Sequence, residues 1–235
     1  MKVIVLSDFD GTLATVDVTE SIYQRFGGPG QRKYTEQWLR GEISTQQEYE
    51  GSFATIKARP EEIGSFVATL SLDPAFPEFL TLLKKKGYKF CIVSEGLRWY
   101  IEILLRKSGL QGLDIIAGDV RYENGRYIFD FPYANPNCQT CGGLCATCKR
   151  DIVLDFKARG YAVVFIGDGR NDRYVADVAD AVLGKEILAK YCEREGIPYF
   201  RYDGFVDIIR LWPEVEQRLK ELESECSKGT STTTE

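Results

Sequence analysis

The sequence predicts an α/β protein: a doubly wound, mostly parallel, Rossmann-like sheet with a small inserted helical cap and a β-hairpin. Three observations carry this. Residues 3–6, 88–93 and 162–166 are short apolar runs rich in β-branched residues, the pattern of strands buried on both faces. Each run ends in a polar loop, at Asp8-Phe9-Asp10, at Ser94-Glu95-Gly96 and at Gly167-Asp168. Between the first and second runs lies a long helical stretch with no strand in it.

Taken in order, the elements follow from local chemistry. Residues 3–6 open the sheet. Residues 17–70 carry helical patterning, broken at Gly27-Gly28-Pro29-Gly30, at Gly41 and at Arg59-Pro60, so several short helices are expected. Residues 76–86 suit a helix stopped by Gly87, and 88–93 a strand followed by a helix over 97–107. A further strand is expected at 113–117. Residues 120–131 alternate around Asn124-Gly125, the strongest short hairpin signal. A helix over 149–158, the strand 162–166, a short strand at 181–183 and further helices complete the body. The expected division is a catalytic core of 1–14 and 73–223 that includes a cysteine-rich loop at 138–148. The helical cap is then 15–72, and 224–235 is a polar, Thr-rich, disordered tail.

Composition narrows the function. The chain of 235 residues carries 30 basic and 35 acidic residues, a formal charge of -5, which argues against a nucleic-acid or anionic-membrane partner. No apolar run approaches a membrane span, so a cytoplasmic location is expected. There is no histidine, which removes His-based triads and His metal sites. Acid-base work must then fall to carboxylates, lysine, cysteine or tyrosine.

In a doubly wound sheet ligands sit at the carboxyl ends of the strands. Asp8 and Asp10 follow one such end, and Asp168 and Asp172 follow another. Carboxylates gathered together repel, and a divalent cation offsets that cost; an all-oxygen set suits Mg²⁺ better than Zn²⁺ or Cu²⁺. Any one of these aspartates alone would read as a turn former or helix cap. All four, each just past an apolar strand, would not.

These segments resemble the four signature motifs of the haloacid-dehalogenase superfamily of phosphatases. Asp8-Phe9-Asp10-Gly11-Thr12-Leu13 matches the first, Ser94 the second, Lys149 the third, and Gly167-Asp168-Gly169-Arg170-Asn171-Asp172 the fourth. The resemblance implies Asp8 as nucleophile forming an aspartyl-phosphate, and Asp10 as acid and then base. It implies Ser94, Glu95, Asn171 and Lys149 around the phosphate. Mg²⁺ would be held by Asp8, Asp10 through its carbonyl, and Asp168, with Asp172 in support. The substrate class so implied is a small phosphorylated metabolite. The cap position resembles the branch that holds phosphoserine phosphatases and the methionine-salvage phosphatase of 2-hydroxy-3-keto-5-methylthiopentenyl-1-phosphate. Asp17 as a specificity residue, a cap stretch at 46–55 without arginine, and the run 185–209 lean toward the salvage type. Phosphoserine phosphatase, promiscuous sugar phosphatase, and a metal-binding scaffold are the competing expectations.

Cys138-x-x-Cys141 and Cys145-x-x-Cys148 form two chelating pairs. They suit a structural Zn²⁺, disulfides, an iron-sulfur cluster or a set of reduced thiols. If cross-linked or metallated, they would pin the loop that delivers Lys149. Aromatic Trp38, Phe53 and Phe66 in the cap read as packing.

Overall fold

The computed structural model describes the backbone of residues 1–229 and the side chains through Ser224. In chain order the elements are β1 (Lys2–Ser7), α1 (Val18–Phe26), α2 (Gln31–Leu39), α3 (Thr45–Phe53), α4 (Pro60–Val67), α5 (Phe76–Lys86), β2 (Lys89–Leu97) and α6 (Arg98–Lys107). They continue with β3 (Asp114–Glu123), β4 (Arg126–Asp130), α7 (Lys149–Ala158), β5 (Tyr161–Gly167), β6 (Ala181–Gly184), α8 (Glu186–Glu195), β7 (Phe200–Arg201) and α9 (Phe205–Gly229). The sheet runs β4-β3-β2-β1-β5-β6-β7. The pairs β2–β3, β5–β6 and β6–β7 are parallel and only the hairpin pair β3–β4 is antiparallel among the registers described.

The chain divides into two compact units. One holds Met1–Leu6, Pro74–Phe90 and the chain from Arg150 onward; the other holds Ser7–Asp73 and Cys91–Lys149. In the first, β1 and β5 are neighbours, and Val3 to Leu6 and Val163 to Ile166 are all buried. An aromatic cluster closes this unit: Phe79 meets Trp212 edge-on at 5.1 Å and Phe76 meets Phe205 at 5.2 Å. Burying rings of this size supplies much of the driving force for such a core.

In the second unit the chain enters and leaves the helical insert through a neck, where Ala14 bridges Leu72. The four helices α1 to α4 form where the glycine and proline breaks separate them. Asp17 caps α1 by accepting from the Glu20 N–H at 2.7 Å, and Ser44 with Gln47 forms a capping box at α3. Tyr49 and Phe53 of α3 stack on the hairpin: Phe53 lies 5.1 Å from Tyr127 and 5.2 Å from Phe129, and Tyr49 lies 5.7 Å from Phe131. Phe53 is a packing residue, as its spacing indicates. Trp38 donates to the Thr45 hydroxyl at 3.0 Å, and Phe66 meets Phe26 edge-on at 5.6 Å.

Three elements differ from expectation. The separate strand at 113–117 and the first hairpin arm are one continuous strand, β3, which pairs in parallel with β2 at its start and antiparallel with β4 at its end. Gly118 lacks periodicity of its own and masks that continuity, yet Phe131 packs where its side chain would stand. Asn124 and Gly125 both take positive φ, 51° and 79°, as a tight hairpin turn requires. The two-residue strand β7 is too short for any pattern to mark.

The expected tail from Ser224 begins inside α9, which continues to Gly229. No glycine or proline interrupts 214–228, and Gln217 donates to Glu221 one turn on at 3.0 Å, so the helix has no local reason to stop there. Residues 230–235 of that tail lie outside the described residues. Among the described residues no helix is long and apolar enough to cross a membrane.

Candidate active site

The chain leaves β1 at Ser7 and turns at once. Gly11 takes φ 71°, a conformation that side chains disfavour, and Ala14 N–H donates back to the Phe9 carbonyl at 2.9 Å. This turn presents Asp8 and Asp10. Asp8 is 8% exposed; its Oδ1 accepts the Phe9 N–H at 2.7 Å and lies 2.8 Å from the Lys149 ammonium. Lys149 opens α7, where the helix dipole disfavours a cation, and only 4% of it is exposed. Burying an ammonium there is tolerable because a carboxylate meets it directly.

Asp10 is held differently. Its Oδ1 accepts the Val18 N–H at 2.9 Å, and its Oδ2 accepts the Tyr100 hydroxyl at 2.7 Å. Ser94 Oγ lies 3.4 Å from the same oxygen and itself accepts the Gly96 N–H at 2.9 Å. Burial foremost, then the charge of Asp17, pushes Asp10 up to about 7, against the Tyr100 and Val18 hydrogen bonds and Lys149. A carboxyl so placed exchanges a proton readily near neutrality. Tyr100 continues a chain of hydroxyls: Thr19 lies 3.0 Å from it and Tyr49 lies 2.8 Å beyond.

Gly96 makes the space for this arrangement. A Cβ there would overlap the Tyr100 hydroxyl and lie 2.7 Å from Asp10 Oδ2. Nearby in the same unit, Glu48 is buried, accepting from Tyr23 at 2.8 Å and from Thr35 and Ser52 at 3.1 Å each. Burial holds its carboxyl above the usual range.

In the other unit, Asp168 follows β5 and Asp172 sits in a short 3-10 turn over Asn171–Val175. Asp172 is buried, and its Oδ2 accepts two backbone N–H groups, from Asp168 at 2.9 Å and Gly169 at 2.8 Å. It therefore shapes the loop that presents Asp168. Asn171 is half-buried in that turn.

The remaining expected residues fall in two groups. Asp17, the expected specificity residue, caps α1 and acts on Asp10 through its charge. Glu95, expected around the phosphate, turns its carboxylate to the cysteine loop: Oε2 accepts the Ala146 N–H at 3.2 Å, with Thr45 and Cys145 beside it.

The four loop cysteines carry thiols and are buried. Sequence reasoning misses Tyr100 altogether. It lies on the apolar face of α6 with Ile101, Leu104 and Leu105, where it reads as packing, and only the tertiary contact shows its hydroxyl at Asp10.

Comparison with known proteins is consistent with this arrangement. Residues 5–177 match the family described as haloacid dehalogenase-like hydrolase. The chain is 27% identical over 220 residues to a 2-hydroxy-3-keto-5-methylthiopentenyl-1-phosphate phosphatase of Brevibacillus brevis, covering 93% of this chain and 98% of that one. It is 30% identical over 227 residues to the bifunctional enzyme MtnB/MtnX of Bacillus licheniformis, of which it spans 52% while 95% of this chain is covered. Among solved structures, a substrate-bound phosphoserine phosphatase superposes with a TM-score of 0.67 at 19% identity, covering 89% of this chain and 98% of that one. At that identity the likeness concerns the fold alone.

Proposed function

The chain belongs to the haloacid dehalogenase-like hydrolase family and is a phosphatase; we propose that its substrate is 2-hydroxy-3-keto-5-methylthiopentenyl-1-phosphate or a small phosphate ester of that kind. The observation that carries the chemistry is the pairing of Lys149 with Asp8 at 2.8 Å, two residues before a carboxyl held near neutrality.

Asp8 attacks phosphorus and forms an aspartyl-phosphate as the ester oxygen leaves. Asp10 gives its proton to that oxygen, then takes one from the water that opens the intermediate. Tyr100 and Val18 hold the Asp10 carboxyl in place through both steps. Lys149 pairs with Asp8 and offsets charge on the transferring group. Ser94, buried at the carboxyl half of β2, is the candidate donor to a phosphoryl oxygen.

Asp8, the Asp10 carbonyl and Asp168 would hold Mg²⁺, since an oxygen-only donor set suits that ion. When bound there, Mg²⁺ supplies positive charge against the phosphoryl oxygens. The thiols of Cys138, Cys141, Cys145 and Cys148 suit a second cation, Zn²⁺, outside the bond-breaking chemistry.

The substrate assignment is supported by the relatives and by the cap. Helix α3, which sends Tyr49 toward the Asp10 network, contains no Lys or Arg and buries Glu48. A substrate carboxylate finds no cation on this helix, which favours a neutral keto-enol body over phosphoserine. A location among soluble metabolic enzymes of the cytoplasm follows from the same reading.

The test is phosphate release at saturating Mg²⁺ from the methylthiopentenyl phosphate, phosphoserine, sugar phosphates and an aryl phosphate. Activity should vanish with EDTA and with Asp8→Asn, and the methylthio ester should exceed phosphoserine at least tenfold in kcat/KM, about 1.4 kcal/mol. A preference for phosphoserine would overturn the substrate assignment. Silence on every ester from folded protein would overturn the reading of the site as a working phosphatase.

A further inference from the structure

Between β4 and α7 the chain runs from Phe131 to Cys148 with no helix or strand. A loop of that length inside a compact body needs something to hold it. Its buried residues are Ala146, Thr147 and four cysteines: Cys138 at 7% exposure, Cys141 at 4%, Cys145 at 5% and Cys148 at 3%. Phe131 at its start packs on Tyr49, but beyond it the loop buries no aliphatic or aromatic side chain larger than Ala146. Sulfur stands in their place.

The sulfurs converge. Those of Cys138, Cys141 and Cys148 all lie within 4.8 Å of one another, and the Cys145 thiol adjoins that of Cys141. Around a single tetrahedral ion with metal-sulfur bonds of about 2.3 Å, neighbouring sulfurs stand about 3.8 Å apart, so three of the four sulfurs already stand near ligating separation. Cys138 sulfur also accepts the backbone N–H groups of Cys141 and Thr140, which holds it at the turn of the loop. Gly143, at φ 72°, lets the loop double back: a Cβ there would lie against the Pro136 carbonyl. Thr147 Oγ1 is buried in the same loop with no hydrogen-bond partner.

We propose that Cys138, Cys141, Cys145 and Cys148 bind one Zn²⁺, and that this knuckle fixes the loop that places Lys149 against Asp8. Each ligating thiol gives its proton to solvent, and four thiolates with one dication leave a net charge of two minus beside the Lys149 ammonium. The dication removes the mutual repulsion that four thiolates would suffer next to Glu95. A cluster of several irons would set its cysteines on different metal atoms and so farther apart than this cradle holds them. The mechanical link is short. Cys148 directly precedes Lys149 and its N–H donates to the Tyr133 carbonyl at 2.8 Å, while the Ala146 N–H is tied to Glu95 beside Ser94 at 3.2 Å. The zinc site stands apart from the phosphatase reading; only its effect on turnover rests on that reading.

The test uses the full chain purified under reduction. Elemental analysis should find one zinc per chain that survives the EDTA wash removing Mg²⁺. Cys138→Ser and Cys141→Ser should lose it, and Co²⁺ exchanged into the site should show the absorption of tetrahedral thiolate ligation. Releasing the zinc with a thiol reagent should speed hydrogen exchange at the Ala146 and Cys148 amides while β5 stays protected. Mg²⁺-dependent turnover should then fall about tenfold, mainly in kcat. Folded, reduced chain that takes neither zinc nor Co²⁺ would overturn the proposal. So would two disulfides by mass, acid-labile sulfide with a visible chromophore, or variants that keep the metal. Zinc release without any change in exchange would overturn the positioning role. Zinc bound and exchange responsive, with no phosphatase activity in any form, would leave the knuckle standing and remove the phosphatase reading instead.

Discussion

Tyr100 and Asp10 stand 90 residues apart in sequence, and the Tyr100 hydroxyl donates to Asp10 Oδ2 at 2.7 Å. That bond favours the ionised carboxylate, while burial and Asp17 favour the protonated one. The balance between them decides where Asp10 titrates.

Two substitutions should therefore move the pH profile in opposite directions. Tyr100→Phe removes a stabiliser of the anion, so the limb that Asp10 controls moves to higher pH. Asp17→Asn removes a charge that opposes ionisation and keeps an N-cap for α1, so that limb moves to lower pH. Tyr100→Phe should also lower kcat about tenfold, since a hydrogen bond to a charged group is worth about 1.5–3 kcal/mol. The measurement is kcat against pH at saturating Mg²⁺; shifts of the same sign would show that Asp10 is not the group observed.

Lys149 is buried with its ammonium against Asp8. Lys149→Met should lower kcat/KM at least about 100-fold, the loss typical of one charge-stabilising donor. Lys149→Arg should recover little, because the broad guanidinium does not fit where an ammonium sits 4% exposed and 2.8 Å from Asp8. Full activity in the arginine variant would show that the charge alone matters.

Gly96 is required for space rather than for its backbone angle. Gly96→Ala should push the Tyr100 hydroxyl off Asp10 and cost about 1–3 kcal/mol of stability from overpacking. Its loss of turnover should match or exceed that of Tyr100→Phe, and in the double variant the two losses should not add. A fully additive double variant would separate the two residues.

Phe53 ties α3 to the hairpin, touching Tyr127 and Phe129 while 2% exposed. Phe53→Ala should destabilise by about 3–5 kcal/mol, and Phe53→Leu by less, because a smaller cavity remains. Urea unfolding of the two variants checks this. A loss under about 1 kcal/mol for the alanine variant would mean that the cluster relaxes to fill the gap.

What the sequence shows well is whatever repeats or breaks locally. The apolar runs that become β1 and β5, the insert between Ala14 and Leu72, helix α5 with its Gly87 stop and the Asn124-Gly125 turn are all readable, because each is specified by neighbours in the chain. The ends of those strands then place Asp8, Asp10 and Asp168 on polar loops without any contact being known, whereas Ser94, expected in such a loop, lies inside β2. The continuity of β3 is not readable. It depends on β2 on one side and β4 on the other, partners that no window of sequence contains.

The sequence by itself determined most of the elements and the candidate residues for the site. The tertiary structure decided their electrostatics and their company: that Tyr100 serves Asp10, that Glu95 turns toward the cysteine loop, that Lys149 is buried against Asp8, and that three sulfurs share one small space. The physical reason is range. Backbone propensity and periodicity act over a few residues, whereas burial, hydrogen bonding and charge pairing act between atoms that only the finished fold brings within a few ångströms.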